Sequence, residues 1–193
     1  YLNKRVFIIH GWDGYPEEGW FPWLKRELES RSFEVQVPAM PESAEPKIEV
    51  WVPYLAKVVG EPDEQTFFVG HSIGCQTILR YLESLPTDKR IGGAVFVAGW
   101  FVLSDLETEE EKIIGKPWIE TPIDFGKVRV VAGNLVAILS KDDPVVPFEE
   151  NKNKFEKELA TKIVVENGRG HFSGSDGITE LPSVLEATLE VSK

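Results

Sequence analysis

The sequence predicts an α/β fold: a three-layer α/β/α sandwich around a mainly parallel sheet of about six strands. Three observations lead there. Short β-branched and aromatic runs alternate with stretches of helical periodicity, the pattern of βαβ units whose sheet is covered on both faces. Residues able to do chemistry gather just past the carboxyl ends of those runs, where open α/β sheets bind ligands. One run, Phe67-Phe68-Val69, leads straight into Gly70-His71-Ser72-Ile73-Gly74 and then into a helical pattern. A G-x-S-x-G sequence therefore stands at a strand–turn–helix junction, the setting that gives this motif its meaning.

The elements follow in order. Arg5 to His10 is a β-branched run and reads as a buried strand, ending in the turn-rich His10-Gly11-Trp12-Asp13-Gly14. Trp20 to Ser30 reads as a helix, with Pro22 tolerated in its first turn and Trp23, Leu24 and Leu28 on one stripe. Phe33 to Val37 is a second strand closed by Pro38. Ile48 to Val59 is a helix with Trp51, Leu55 and Val58 on one face. Thr66 to Val69 is the third strand, and Ile73 to Leu85 the helix after the Ser72 turn. Gly93 to Ala98 and Asn134 to Leu139 are strands four and five. A helix over Pro147 to Leu159, a strand over Lys162 to Val165 and a helix over Ile178 to Val191 complete the chain. Residues 101–131 break the alternation and carry the acidic run Glu107-Thr108-Glu109-Glu110-Glu111; they read as a small cap or loop plus a short helix, with the acidic run on a solvated face.

With 193 residues, 42% of them apolar, the chain is expected to form a single domain, 1–193, with a core that needs no metal or disulfide. A net charge of −11 sets it against phosphate backbones and anionic membranes, so neither nucleic acid nor a membrane is an expected partner. No apolar run approaches the length of a membrane span, and no secretory leader is visible. Cys75 is the single cysteine, which fits a reducing compartment; a cytoplasmic location is expected.

The strand ends supply the chemistry. The third strand ends at His71-Ser72, the fifth leads to Ser140-Lys141-Asp142-Asp143-Pro144, and the sixth leads to Gly168-Arg169-Gly170-His171. A serine hydroxyl is a poor nucleophile unless a base takes its proton, neutral imidazole is the suitable base, and a carboxylate must orient the imidazole. The order Ser, Asp, His is the one expected for an α/β-hydrolase fold. Ser72 is thus the expected nucleophile, His171 the base and then acid, and Asp143 the orienting carboxylate, with Asp142 as its hydrogen-bonding neighbour. Protonated His171 accepts no proton, so activity is expected to fall toward acid pH. Backbone N–H groups of Trp12 and Ile73 are the candidate oxyanion donors. No metal site is expected: neither histidine nor cysteine adjoins the aspartate pair in sequence, and adjacent carboxylates on extended chain point apart. No cofactor is expected. Read from the residues alone, Ser72 also fits a helix N-cap, His171 a loop histidine and Cys75 a small core residue.

At these residues the chain resembles the small serine hydrolases of the retinoblastoma-binding-protein-nine and YdeN type. The likeness runs nearly end to end, through VFIIHGW, GWFPWLKRELE, VPAMP, FFVGHSIG, the Trp118 region, SKDDPVVPFEE and GRGHF. It implies the nucleophile at Ser72, the aspartate at Asp143 and the histidine at His171, a sheet of about six strands, and broad hydrolysis of esters or related acyl compounds. Residues 101–127 match least clearly.

The expected activity is cleavage of small acyl esters. An amidase or peptidase with the same three residues, and a protein-binding module on a hydrolase scaffold, are the alternatives; the sequence names no protein partner. His10, Trp100, Phe101 and Trp118 are candidate walls of an apolar acyl pocket. The aromatic residues fit core closure equally well, and His10 and His71 read as structural.

Overall fold

The computed structural model describes residues 3–104 and 106–193. Its centre is a six-stranded sheet in the order β2-β1-β3-β4-β5-β6, with every neighbouring pair parallel. The strands are β1 (Arg5–Ile9), β2 (Glu34–Gln36), β3 (Thr66–His71), β4 (Gly93–Val97), β5 (Asn134–Ser140) and β6 (Lys162–Glu166). The helices are α1 (Phe21–Glu29), α2 (Ile48–Val59), α3 (Ile73–Ser84), α4 (Glu109–Glu120), α5 (Phe125–Val131), α6 (Phe148–Leu159) and α7 (Pro182–Val191), with a short 3₁₀ turn at Gly174–Asp176. The sheet grows outward from β1 to β2, then resumes on the other side of β1 with β3. That reversal opens a crevice at the carboxyl ends of β1 and β3.

Alternation along β1 sorts the core. Phe7 and Ile9 face α2, α3 and the cap with Phe68, Phe96 and Trp100, while Val6 and Ile8 face α1 and α7 with Phe67, Val95 and Phe172. Both faces of the middle strands are buried, so those strands read as continuous apolar runs rather than alternating ones. Helix α3 is buried from Ile73 through Leu82. It lies between α2 and α5.

The cap differs from the sequence expectation: among the described residues of 101–131 there are two helices, α4 and α5, rather than one short helix. The acidic run opens α4. Thr108 Oγ1 accepts the Glu111 N–H at 3.1 Å, and Glu111 Oε2 accepts the Thr108 N–H at 3.1 Å. The carboxylates of Glu109, Glu110 and Glu111 lie in the first turn, where the helix dipole favours negative charge. The last helix starts at Pro182 rather than Ile178, because a residue preceding proline is pushed out of the helical region and Leu181 is extended, with φ −141°. Among the described residues no helix is long and apolar enough to cross a membrane.

Candidate active site

Steric crowding shapes the turn between β3 and α3. A Cβ at Gly74 would lie 2.3 Å from the Ile9 carbonyl oxygen, and one at Gly70 would lie 2.8 Å from the Cys75 nitrogen. Backbone thus packs where side chains would otherwise stand. Ser72, between them, is forced to φ 54° and ψ −120°, a region an L-residue occupies only under constraint. Its N–H donates to the Val97 carbonyl at 2.9 Å, and its carbonyl accepts the Cys75 N–H at 3.0 Å. The hydroxyl is left facing a cavity, where it accepts a hydrogen bond from Trp100 Nε1 at 3.2 Å. Ser72 and His171 line that cavity together, although no hydrogen bond joins them.

The two aspartates after β5 divide their work. Asp143 Oδ2 accepts from His171 Nδ1 at 2.9 Å, and its Oδ1 accepts the N–H groups of Val145 and Val146 at 2.9 and 3.0 Å. Its side chain is 2% exposed. Asp142 faces the other way. Its Oδ1 accepts the N–H groups of Gly168 and Gly170 at 3.1 and 3.3 Å and the Ser140 hydroxyl. The Ser140 hydroxyl, followed by those amides, holds the Asp142 carboxyl below the usual range. One carboxylate therefore grips the imidazole and its neighbour grips the loop that carries it.

Two further groups fix His171. Asp176 Oδ2 accepts its backbone N–H at 3.0 Å. His71 Nε2 lies 2.7 Å from the His171 carbonyl oxygen, so the His71 proton sits on Nε2, because a carbonyl only accepts. Burial, with the nearby His171 charge, pushes the His71 imidazole down to about 3, and it is neutral at physiological pH. Packed between Trp20, Phe21 and the His171 ring, His71 joins the serine turn to the histidine loop.

The cavity measures about 170 Å³. Trp12, Trp100, Leu103, Leu106 and Val145 give it apolar walls, and Glu18, His71 and Ser173 line it beside Ser72 and His171. The Gly11–Trp12 backbone runs against the serine: a Cβ at Gly11 would lie 3.4 Å from Ser72 Cβ. Among the described residues, the backbone N–H groups of Trp12 and Ile73 make no hydrogen bond. A larger hollow of about 500 Å³ lies at the opposite end of the sheet, near Asn134 and Lys162; its walls hold no serine, cysteine or histidine.

Of the four proposed pocket residues only Trp100 lines the cavity. His10 does not. It is 1% exposed, its Nδ1–H donates to the Gly11 carbonyl at 2.8 Å, and its Nε2 accepts the Met40 N–H at 2.9 Å, so both ring nitrogens are spent on backbone. Trp118 does not either: its Nε1 donates to the Pro46 carbonyl at 2.9 Å and its ring lies edge-on to Trp51. Phe101 points away, against Phe125 and Phe155. Glu18, Leu103, Leu106 and Val145 were not legible in the sequence. They lie on irregular connections, where no periodicity tells which way a side chain turns. Burial pushes the Glu18 carboxyl up, against the pull of the Gly174 and Tyr15 amides and the His171 charge. Cys75 is a buried free thiol, raised by burial, and takes no part in the cavity. Among the described residues no group of histidine, cysteine or carboxylate side chains is arranged to hold a metal ion.

Comparison with known proteins agrees with this architecture. YdeN of Bacillus subtilis (strain 168) is 34% identical over 186 residues, covering 96% of this chain and 94% of YdeN. Serine hydrolase RBBP9 of Rattus norvegicus is 26% identical over 189 residues, covering 97% and 96%. The crystal structure of the B. subtilis ydeN gene product superposes with a TM-score of 0.88 at 30% identity, covering 98% of each chain. Est1E from Butyrivibrio proteoclasticus shares the fold, with a TM-score of 0.73 at 17% identity over 98% of this chain and 88% of its own. A family model described as serine hydrolase matches residues 6–189. The chain belongs to the serine hydrolase family.

Proposed function

We propose that this serine hydrolase cleaves small carboxylic esters through Ser72, His171 and Asp143 by way of an acyl-enzyme. The observation that carries the reading is the 2.9 Å bond from His171 Nδ1 to Asp143 Oδ2 at the edge of the cavity that holds Ser72. Asp143 fixes the tautomer: with the proton on Nδ1, the lone pair on Nε2 is free to act as base. The reaction requires Ser72 Oγ to turn from Trp100 toward Nε2. Catalytic contacts commonly tighten in this way only once substrate is bound.

As Oγ attacks the carbonyl carbon, His171 Nε2 takes the serine proton, and the carbonyl π pair moves onto oxygen. The N–H groups of Trp12 and Ile73, free of other acceptors, meet that oxyanion. His171 then gives its proton to the leaving alkoxide, the ester C–O bond breaks, and the acyl group stays on Ser72. Water attacks the acyl carbon with His171 again as base. A carboxylic acid leaves and Ser72 recovers its proton.

The cavity favours small acyl or alcohol groups, since about 170 Å³ falls below the range of drug-sized ligand sites. The single buried cysteine fits a reducing, cytoplasmic setting. The test uses a fluorophosphonate probe and a series of p-nitrophenyl esters. Labelling of the wild type, its loss in Ser72→Ala, and faster cleavage of the C4 than the C12 ester are expected. An unlabelled wild type would overturn the reading in favour of a binding module, and faster C12 cleavage would overturn the small-pocket assignment. Faster turnover of aminoacyl amides than of matched esters would point to the amidase alternative.

A further inference from the structure

Arg80, in the middle of α3, is 3% exposed. A guanidinium so buried ordinarily has a carboxylate partner. Among the described residues no carboxylate forms an ion pair with it. Its donors are used unevenly. Nε donates to Gln76 Oε1 at 3.0 Å, and Nη2 donates to the carbonyls of Trp118 and Thr121 at 3.0 and 2.8 Å. Among the described residues Nη1 has no acceptor, yet it is not sealed off from solvent as buried unpaired atoms elsewhere in the chain are.

Arg80 forms part of the wall of a cavity of about 390 Å³ between α3, the cap and α6. This cavity shares no residue with the one at Ser72. Phe101, Phe125 and Ile123 make its walls apolar. At its rim stands Lys154, whose ammonium lies 5.5 Å from the Phe125 ring centroid, with Glu150 as the opposing charge. The site thus pairs a buried cation that has a spare donor with an aromatic pocket and a second cation at the mouth.

We propose that this cavity is a second small-molecule site, for a monocarboxylic acid with a small aromatic or branched aliphatic tail. The carboxylate lies on Arg80 Nη1 and the tail lies against Phe101 and Phe125. A single free guanidinium nitrogen matches one carboxylate. A dianion such as phosphate would be desolvated among apolar walls with too few donors to compensate. The site also reaches toward the chemistry: Gln76 Nε2 donates to the Trp100 carbonyl at 3.0 Å, and Trp100 Nε1 donates to Ser72 Oγ.

Benzoate titrated into the isotope-labelled protein, followed by NMR, tests this. The Arg80 Nε–H and Trp118 indole N–H signals are expected to move together and saturate at millimolar benzoate, while the Trp20 signal, on the other side of the sheet, stays in place. Benzyl alcohol, with the same ring and no charge, should bind at least about tenfold more weakly. Arg80→Gln, followed at Trp118, should weaken benzoate about tenfold. Should that variant fail to fold, Lys154→Glu decides, because Lys154 is exposed and its reversal should weaken benzoate about threefold. Equal binding of benzyl alcohol, benzoate affinity unchanged by Lys154→Glu, or still signals up to about 50 mM would overturn the proposal.

Discussion

The serine turn and the histidine loop reach one cavity by opposite means. Around Ser72 the chain is fully buried and held by shape: close backbone contacts at Gly70 and Gly74 and a forced φ of 54°. Around His171 the chain, apart from the buried Phe172, is half-buried or exposed and held by polar groups: Asp143 on the ring, Asp142 and Asp176 on backbone N–H groups, His71 on the carbonyl. The first region is sensitive to added volume. The second is sensitive to lost charge, lost hydrogen bonds and pH. The nucleophile is therefore set by steric packing of backbone, while the base is set by interactions that a single isosteric substitution can remove.

The largest expected effect is at the polar side. Asp143→Asn keeps the shape but offers an amide to the imidazole, which favours the wrong tautomer. The ester kcat should fall about ten-thousandfold while the chain stays folded. A loss under tenfold would show that this contact does not prepare the base. On the steric side the comparison predicts the reverse, a loss of fold rather than of chemistry. Gly74→Ala places a Cβ 2.3 Å from the Ile9 carbonyl oxygen, against backbone that cannot yield without moving α3 away from β1. A loss of about 3 kcal/mol of stability is expected, read from urea midpoints. An unchanged midpoint would break the claim that close packing of backbone holds this turn.

His71 belongs to both regions, and pH separates its roles. The folded protein holds its imidazole at about 3, chiefly through burial, against 6.5 for a free ring. Between those values the unfolded chain binds the extra proton, so this contribution to stability is complete above about 6.5 and is lost as the pH falls. For one proton the loss is about 1.4 kcal/mol per pH unit. In His71→Gln, whose amide can still donate to the His171 carbonyl, the decline between pH 6.5 and 4.5 should be shallower by about that amount. Parallel declines would show that the ring is not what the fold keeps neutral.

What the sequence revealed follows the same division. The middle strands were legible because fully buried parallel strands are unbroken apolar runs, as in Phe67–Val69 and Ala94–Val97, while the edge strands β2 and β6 are only partly buried and showed as short β-branched stretches between helices. The serine turn was legible because steric constraint selects residue types at fixed spacing, glycines at 70 and 74 around Ser72. The cap was harder. Gly115 and Pro117, both poor helix formers, lie inside the continuous helix α4 and blur its pattern in the sequence, although Thr108 with Glu111 three residues on was a readable start signal. The pocket was the least legible. Trp100 and Phe101 are adjacent and both follow β4, yet the first lines the cavity and the second turns toward α6. His10 follows β1 as closely, yet its ring is consumed by Gly11 and Met40. Position at a strand end says that a residue is near the site; which way its side chain turns depends on partners far away in sequence.

The smallest expected effect tests the neighbour of the orienting carboxylate. Asp142 and Asp143 are adjacent and both accept hydrogen bonds around the same loop, but only Asp143 touches the ring. Asp142→Ala removes the acceptor for the Gly168 and Gly170 amides on an exposed loop, where water can replace it. Stability should therefore change by less than about 1 kcal/mol. The His171 ring keeps its bond to Asp143, but the backbone that carries it gains freedom, and a catalytic group displaced by a fraction of an ångström loses rate steeply. A fall of about tenfold in kcat, with KM nearly unchanged, is expected, and Asp142→Asn should recover most of it because its Oδ1 still accepts. If Asp142→Ala instead matched Asp143→Asn in severity, the two carboxylates would share one task, and the division between gripping the ring and gripping the loop would fail.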